Sequence, residues 1–278
     1  MRASKDLKSE FPSVLDNAYE QYLRDLSRYR QVKDIMSKDI ATVAPEMSMA
    51  EAAEKMGDRH IGSLIVEKYG TAVGIVTERD LLSKVLSLGK DPSAEKVEST
   101  MSYPLVTIGP AAKIKEAAQM MIHKKSRLAV FDYGKLVGII TASDLIRSLP
   151  EVPETEVKVD DFMTKEIETA DEKTPITHSV KLMGEKRIGS VIVTSKGKPS
   201  GIFTERDLLT SILLKGEPLS LEVGKVASSP LITIPSGTSV HRAAHSMASK
   251  HIRRLPVAKG GKLEGIVTAR DLVEAYAK

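Results

Sequence analysis

The chain has 278 residues, 41% of them hydrophobic and 28% charged, with a formal net charge of +4 and no cysteine. This excludes a disulfide framework or a thiolate metal centre, and without a run of about 20 apolar residues it excludes a membrane-spanning helix. The polar start, Met1 to Glu10, is unlike a signal peptide, so the cytoplasm is the expected compartment, and the small basic surplus suits an anionic ligand without implying nucleic acid.

Residues 1–31 form an extension with no counterpart elsewhere in the chain. Pro12 suits a first helical turn, and Ser13 with Asp16 has the form of a capping box. Leu15, Ala18, Tyr22, Leu26 and Tyr29 then share one helical face. The expected helix either covers an edge of the remaining chain or docks a partner or a second subunit.

From residue 32 the chain repeats itself. Gly74-Ile75-Val76-Thr77-Glu78-Arg79-Asp80 returns at Gly138 to Asp144, Gly201 to Asp207 and Gly265 to Asp271, with the aspartates 64, 63 and 64 residues apart. A unit of about 64 residues buries too little surface to be secure alone, so the four are expected to pack in pairs and share cores.

Each unit opens on a short strand with a central Thr: Ala41-Thr42-Val43, Val106-Thr107-Ile108, Glu168-Thr169-Ala170 and Ile232-Thr233-Ile234. A helix follows, with apolar residues at i, i+4 and i+7, such as Met49, Ala53 and Met56. The Met that recurs there is core packing at helical spacing, not a cofactor ligand. A hairpin comes next, turning at Gly70, Gly134, Gly197 and Gly261, where glycine supplies positive φ. The Gly-hydrophobic-hydrophobic-Thr stretch ends the hairpin, and a second helix starts at once. The unit is therefore β-α-β-β-α.

Odd and even units differ. The first and third read Ile-Gly-Ser before the hairpin (Ile61 to Ser63, Ile188 to Ser190) and Thr-Glu-Arg-Asp-Leu-Leu at the motif. The second and fourth carry Arg127, and Arg253 with Arg254, in place of Gly-Ser, and read Thr-Ala-x-Asp-Leu. A pair of units has been duplicated, with the joint in the Pro- and Glu-rich stretch 150–157.

Thr-x-x-Asp at a helix start has the form of a capping box, with Thr77 at the N-cap and Asp80 at N3, contributing about 1 kcal/mol. The carboxylate keeps spare acceptor capacity. It repels phosphate but accepts from both hydroxyls of a ribose, while free N–H groups at the helix start attract phosphate. The Glu78-Arg79 and Glu205-Arg206 charges are expected to form a solvated first turn.

The four in-register units, their x-Thr-hydrophobic opening strands, Arg254-Leu255-Pro256-Val257 and the Thr-x-x-Asp motif resemble CBS domains over about residues 32–278. The resemblance implies an α+β fold of four β-α-β-β-α CBS repeats in two pseudo-symmetric pairs, called Bateman modules, plus the N-terminal helix. Its boundaries are an extension at 1–31, a first module at 32–149 (repeats about 32–88 and 97–149), a linker at 150–157 and a second module at 158–278 (repeats about 158–215 and 223–278). It implies clefts for AMP, ADP or ATP, with S-adenosylmethionine a further candidate, and a regulatory rather than catalytic role. A regulated protein and a second copy of the chain are the other expected partners; the two modules would associate face to face as a flat disk, within one chain or between two.

Carried over residue by residue, the resemblance makes Asp80, Asp144, Asp207 and Asp271 the ribose ligands and Thr77, Thr141, Thr204 and Thr268 the phosphate ligands. Adenine would lie against the opening strand at Ala41, Val106, Glu168 or Ile232. Arg127 would serve the phosphate at the Asp80 site, and Arg253 with Arg254 that at the Asp207 site. Asp144 and Asp271 face Gly62-Ser63 and Gly189-Ser190 instead, so their sites are expected to be empty or to take a less charged ligand.

His241 and His245 have metal-ligand spacing on a helix, but no third ligand accompanies them. No Walker loop, nucleophile elbow or catalytic domain remains once the repeats are counted, which argues against an enzyme. Two rivals stay open: a ligand-independent scaffold, and a nucleic-acid binder using Arg24, Arg28 and Arg30, which the few aromatics (4%) disfavour.

Overall fold

The computed structural model describes residues 31–123, 127–148 and 156–278. The expected N-terminal helix, Arg24, Arg28, Arg30 and most of the 150–157 joint lie outside these residues. Among the described residues no helix is long and apolar enough to cross a membrane.

The first repeat runs β1 (Thr42–Val43), α1 (Met49–Asp58), β2 (Ser63–Lys68), β3 (Thr71–Thr77) and α2 (Glu78–Lys84). The second runs β4 (Thr107–Ile108), α3 (Ile114–His123), β5 (Arg127–Asp132), β6 (Lys135–Thr141) and α4 (Ala142–Ser148). The third has β7 (Thr169–Asp171), α5 (Ile176–Glu185), β8 (Ser190–Ser195), β9 (Lys198–Thr204) and α6 (Glu205–Asp207), which continues as a π-helical stretch over Leu208–Leu213. The fourth has β10 (Ile234–Pro235), α7 (Val240–Ser249), β11 (Arg254–Lys259), β12 (Lys262–Thr268) and α8 (Ala269–Ala277). The fold is α+β with four three-stranded sheets, as the repeat pattern implies.

In each sheet the opening strand pairs parallel with the first hairpin strand, and the hairpin is antiparallel. The hairpin turns have positive φ at both central residues, for example Tyr69 at 51° with Gly70 at 74°, and Tyr133 at 44° with Gly134 at 79°. That is the backbone twist that lets two strands close over a two-residue loop. The fourth opening strand starts late, at Ile234. Ile65, Ala129 and Ile192 donate their N–H to the carbonyls of Ala41, Val106 and Glu168. Their counterpart in the fourth repeat is Pro256, which has no N–H to give.

Four short lead-in segments bind the sheets. Ser37 bridges Ile139, Ser102 bridges Ile75, Thr164 bridges Ile266, and Ser228 bridges Ile202. The first and second repeats thus exchange lead-ins, and so do the third and fourth. This exchange explains the glycine of the repeated motif. A Cβ at Gly74, Gly138, Gly201 or Gly265 would lie 3.0, 3.0, 2.8 or 2.8 Å from the carbonyl oxygen of Ser102, Ser37, Ser228 or Thr164. The lead-in fits only against a residue without a side chain. Gly201→Ala is therefore expected to cost about 2 kcal/mol by forcing backbone from backbone. Urea unfolding checks it, and an unchanged midpoint would refute the close-approach explanation.

The chain forms two compact units that alternate along the sequence. One holds the odd repeats (Asp39–Leu105 and Lys165–Thr233), and the other holds the even repeats (Val106–Thr164 and Ile234–Lys278) with the first lead-in. Cores are shared in pairs, as their size demands, but the pairs are alternate repeats. In the odd unit Met49, Met56, Leu81 and Leu82 join one cluster with Ile176, Met183, Phe203 and Leu209. In the even unit Ile114, Met121, Leu145 and Ile146 join Val240, Met247, Leu272 and Val273. The recurring methionines are fully buried in these cores, where a flexible thioether fills irregular gaps.

Candidate functional site

The motif carboxylate sits where the second hairpin strand turns into the second helix, and all four repeats build the turn alike. The backbone N–H of Thr77 donates to Asp80 Oδ2 at 3.0 Å and its hydroxyl donates to the same oxygen at 2.6 Å. Thr141 with Asp144, Thr204 with Asp207 and Thr268 with Asp271 repeat both bonds at 2.7–2.8 Å. In the first three repeats the Asp N–H returns a bond to the Thr hydroxyl oxygen at 3.2–3.4 Å. The capping box is real, and it alters the role of the threonines. A hydroxyl has one proton, and here it is committed to Asp. Thr77, Thr141, Thr204 and Thr268 therefore hold the carboxylate in place; donating to phosphate would require breaking this bond.

The helix start also has fewer free donors than its position suggests. Glu78 N–H donates to the Gly62 carbonyl, Glu205 N–H to that of Gly189, and Ala269 N–H to that of Arg253. With the N3 amides bonded to Thr in the first three repeats, a phosphate there depends on side-chain cations.

The second carboxylate oxygen distinguishes the repeats. Asp80 Oδ1 lies 2.7 Å from Lys84 Nζ, and the same ammonium donates to the Thr100 carbonyl. Asp144 Oδ1 accepts from Arg147 Nη2. Asp207 Oδ1 accepts from the hydroxyl of Ser228, on the lead-in, at 3.1 Å. Asp271 Oδ1 has no hydrogen bond or ion pair among the described residues. Burial pushes the Asp271 carboxyl above the ordinary range, and Glu274 adds to this, while the Thr268 bonds and Arg270 pull it down. Asp80 and Asp144 are buried, and Asp207 and Asp271 are half-buried. Lys84, Arg147 and Ser228 were not singled out from sequence. The i, i+4 and i, i+3 spacing of the two cations from Asp was visible there, whereas Ser228 reaches its carboxylate only through the lead-in exchange.

The other expected site residues fall as follows. Ala41, Val106 and Glu168 lie at the openings of their strands with their carbonyls in the sheet ladder. The Glu168 carboxylate is paired with Lys186 at 3.1 Å. Ile232 lies just before its strand and is exposed. Arg127 and Arg254 open β5 and β11, opposite Thr141 and Thr268 in the register. At the same places in the odd repeats stand Ser63, opposite Thr77, and Ser190, opposite Thr204.

The charged first turns of the odd repeats are not solvated. Glu78 is 3% exposed and Glu205 7%. Arg206 Nε lies 2.6 Å from Glu78 Oε1, and Arg79 Nε donates to Glu205 Oε1 at 2.9 Å. Each arginine also donates to a carbonyl of the other odd repeat, Arg206 to His60 and Arg79 to Arg187. Two helix starts that each carry Glu-Arg meet about a local two-fold relation, so each glutamate finds the other's arginine. Sequence reading failed here because the partner lies more than 120 residues away along the chain.

Comparison with known proteins agrees with this architecture. The family model described as "CBS domain" matches residues 32–87, 95–151, 159–214 and 223–278. The chain is 32% identical over 266 residues to the uncharacterized protein MJ1404 of Methanocaldococcus jannaschii, an alignment covering 88% of this chain and 62% of that protein. It is 35% identical over 115 residues to the CBS domain-containing protein YhcV of Bacillus subtilis, covering 41% of this chain and 81% of that one. The chain thus spans less than two thirds of MJ1404. Among solved structures, MJ1225 of Methanocaldococcus jannaschii, described as a proposed archaeal homolog of g-AMPK, superposes with a TM-score of 0.74 at 22% identity, covering 89% of this chain and all of that one. A conserved protein of Pyrococcus horikoshii gives 0.63 at 23% identity, covering 88% and 99%. These two likenesses establish the fold.

Proposed function

The chain belongs to the CBS-domain family, and from that premise we propose that it is a non-catalytic regulatory protein that binds adenine nucleotides and reports their level to a partner protein. The observation that carries this reading is a carboxylate held in the same way in all four repeats. One oxygen is fixed by the cap, and the other is aligned by that cap with acceptor capacity left. A ribose diol needs two acceptor lone pairs in fixed geometry, and a pre-positioned carboxylate supplies them without reorganisation. The phosphate of AMP, ADP or ATP takes its positive charge from Arg127, Arg253 and Arg254, since the threonine hydroxyls are engaged. Adenine lies along the opening strands. S-adenosylmethionine has the same diol and tests whether phosphate matters. The fold shared with a proposed homolog of g-AMPK favours energy state as the signal.

The proposed modules are residues 32–149 and 158–278, each a pair of consecutive repeats. The regulated partner, or a second copy of the chain, senses a ligand-driven change, and by linkage its affinity and the nucleotide's alter each other equally. The cytoplasm is the proposed location. A second reading, a ligand-independent scaffold, draws on the cap itself, because capping alone accounts for Thr and Asp at these positions. Isothermal titration separates the two. AMP, ADP or ATP is expected to bind, with affinity falling at least about tenfold in Asp80→Ala/Asp207→Ala, a change of about 1.4 kcal/mol. Absence of heat at millimolar nucleotide would establish the scaffold.

A further inference from the structure

Three of the four opening segments begin on an apolar residue, and the third begins on Glu168. We propose that Glu168, with Lys186 beside it, makes the third-repeat site select a guanine nucleotide over an adenine nucleotide. This inference rests on the reading that the motif aspartates take the ribose and that the base lies along the opening strand.

The topology puts the two groups at one end of one sheet. β7 runs parallel to β8, and the Ile192 N–H donates to the Glu168 carbonyl at 3.0 Å. Two residues back along β8, Ser190 stands opposite Thr204, whose hydroxyl holds Asp207. Glu168 and the Thr204 cap are thus two strand spacings apart, about 10 Å. A nucleoside bridges that span with its diol at Asp207 and its base edge at Glu168. Glu168 Oε1 lies 3.1 Å from Lys186 Nζ, and both side chains reach solvent, at 29% and 55% exposure, so an arriving base can meet them. Lys186 follows directly on α5 in a pinned turn. Its own N–H donates to the Leu182 carbonyl, and the Ile188 N–H donates to that of Met183, both at 3.0 Å.

A carboxylate without its proton only accepts, and an ammonium only donates. The pair therefore presents one donor beside two acceptor oxygens. Guanine shows the complement along its Watson–Crick edge: the acceptor O6, then the donors N1–H and N2–H. Lys186 meets O6, and the two oxygens of Glu168 meet N1–H and N2–H in charge-assisted bonds. Adenine has one donor there, at N6, beside the acceptor N1. It leaves a carboxylate oxygen against C2–H with nothing to accept. A site built to hydrogen-bond a group discriminates against the analogue that lacks it. Solvent reaches this pair, so the expected preference is about tenfold rather than the far larger ratios of closed sites. At Ala41, Val106 and Ile232 the side chain has no polar atom, and the base meets backbone alone.

Calorimetry on the full chain with GMP, IMP and AMP tests the inference. In the unaltered protein one class of sites is expected to take GMP about tenfold more tightly than AMP, with IMP, which lacks the N2 amine, in between. Glu168→Ala, which imports the residue of the first repeat, is expected to erase that preference. Glu168→Gln sets a donor beside an acceptor, the pattern that pairs adenine through two bonds, and is expected to turn the preference towards AMP. A merely structural role for the pair would produce no such reversal. AMP bound at least as tightly as GMP at every site of the unaltered protein overturns this inference and leaves adenine-nucleotide binding standing. A preference for GMP retained in Glu168→Ala or Glu168→Gln does the same. Binding of GMP alone sustains the inference and overturns the adenine reading, and binding of neither GMP, AMP nor ATP overturns both.

Discussion

Phe203→Ala is expected to destabilise the odd-repeat unit by about 4 kcal/mol. Phe203 is the largest fully buried side chain among the described residues, on β9 at a position where the other repeats carry Val76, Ile140 and Val267. Its strand neighbour in the register is Val191, itself buried, and it shares a cluster with Val180, Met183 and Leu208. Truncation removes a whole ring from a close-packed interior and leaves a cavity that β8 and the helices packed on the sheet cannot close. Phe203→Val, which imports the residue of the first and fourth repeats, is expected to cost about half as much, because the shape lost is smaller. Chemical denaturation reads both as a shift in midpoint at constant slope. A loss below about 1.5 kcal/mol for the Ala variant would mean that the core repacks freely and that the third repeat has no special need of an aromatic.

Arg206→Met is expected to lower the stability of the same unit by about 3 kcal/mol. The loss comes less from the attraction removed than from the charge left behind, since Glu78 is 3% exposed and cannot regain its water. The low end of the range applies for two reasons. The contact at 2.6 Å is an ion pair without hydrogen-bond alignment, and Glu78 stands in the first turn of α2, where the helix dipole favours an anion. Adding Glu78→Met to Arg206→Met is expected to recover most of the loss, because a buried pair replaced by apolar groups is near neutral. Arg270→Met in the even unit loses a bond to the Ile122 carbonyl at 3.0 Å and a solvent-screened attraction to Asp271, and is expected to cost about 1 kcal/mol. Equal losses at Arg206 and Arg270 would show that the reciprocal pairs contribute nothing beyond surface contacts.

Those pairs bear on how repeats choose partners. An odd helix start carries Glu-Arg and is complementary to another odd start. An even start, Ala142-Ser143 or Ala269-Arg270, offers no glutamate for Arg79 at the matching position, and only the fourth repeat has an arginine there to meet Glu78. Pairing an odd start with the second repeat would bury a glutamate without a matched arginine, and pairing it with either even repeat would leave an odd arginine without its glutamate, an unfavourable element of the kind that sets specificity. The alternation of cores is thus encoded in residues that look like ordinary surface charge when read along the chain.

The sequence by itself determined the repeated unit, its β-α-β-β-α order, the glycine turns and the capping box, because each depends on contacts within a few residues or on a period of about 64. Thr77 and Asp80 are three apart, and a helix start brings three-apart residues together in any context. Only the tertiary structure decided which repeats share a core, why Gly74, Gly138, Gly201 and Gly265 admit no side chain, and which groups hold the second oxygen of each aspartate. Those depend on distant segments: a lead-in crossing to another repeat, an arginine more than 120 residues from its glutamate. The π-helical continuation after Asp207 belongs with them, since local spacing does not distinguish Leu208–Leu213 from the α-helical turn at the same place in the first repeat. Local chemistry is legible from spacing because the chain itself fixes the distance; contact between remote segments is set by surface complementarity, which appears only when the surfaces have formed.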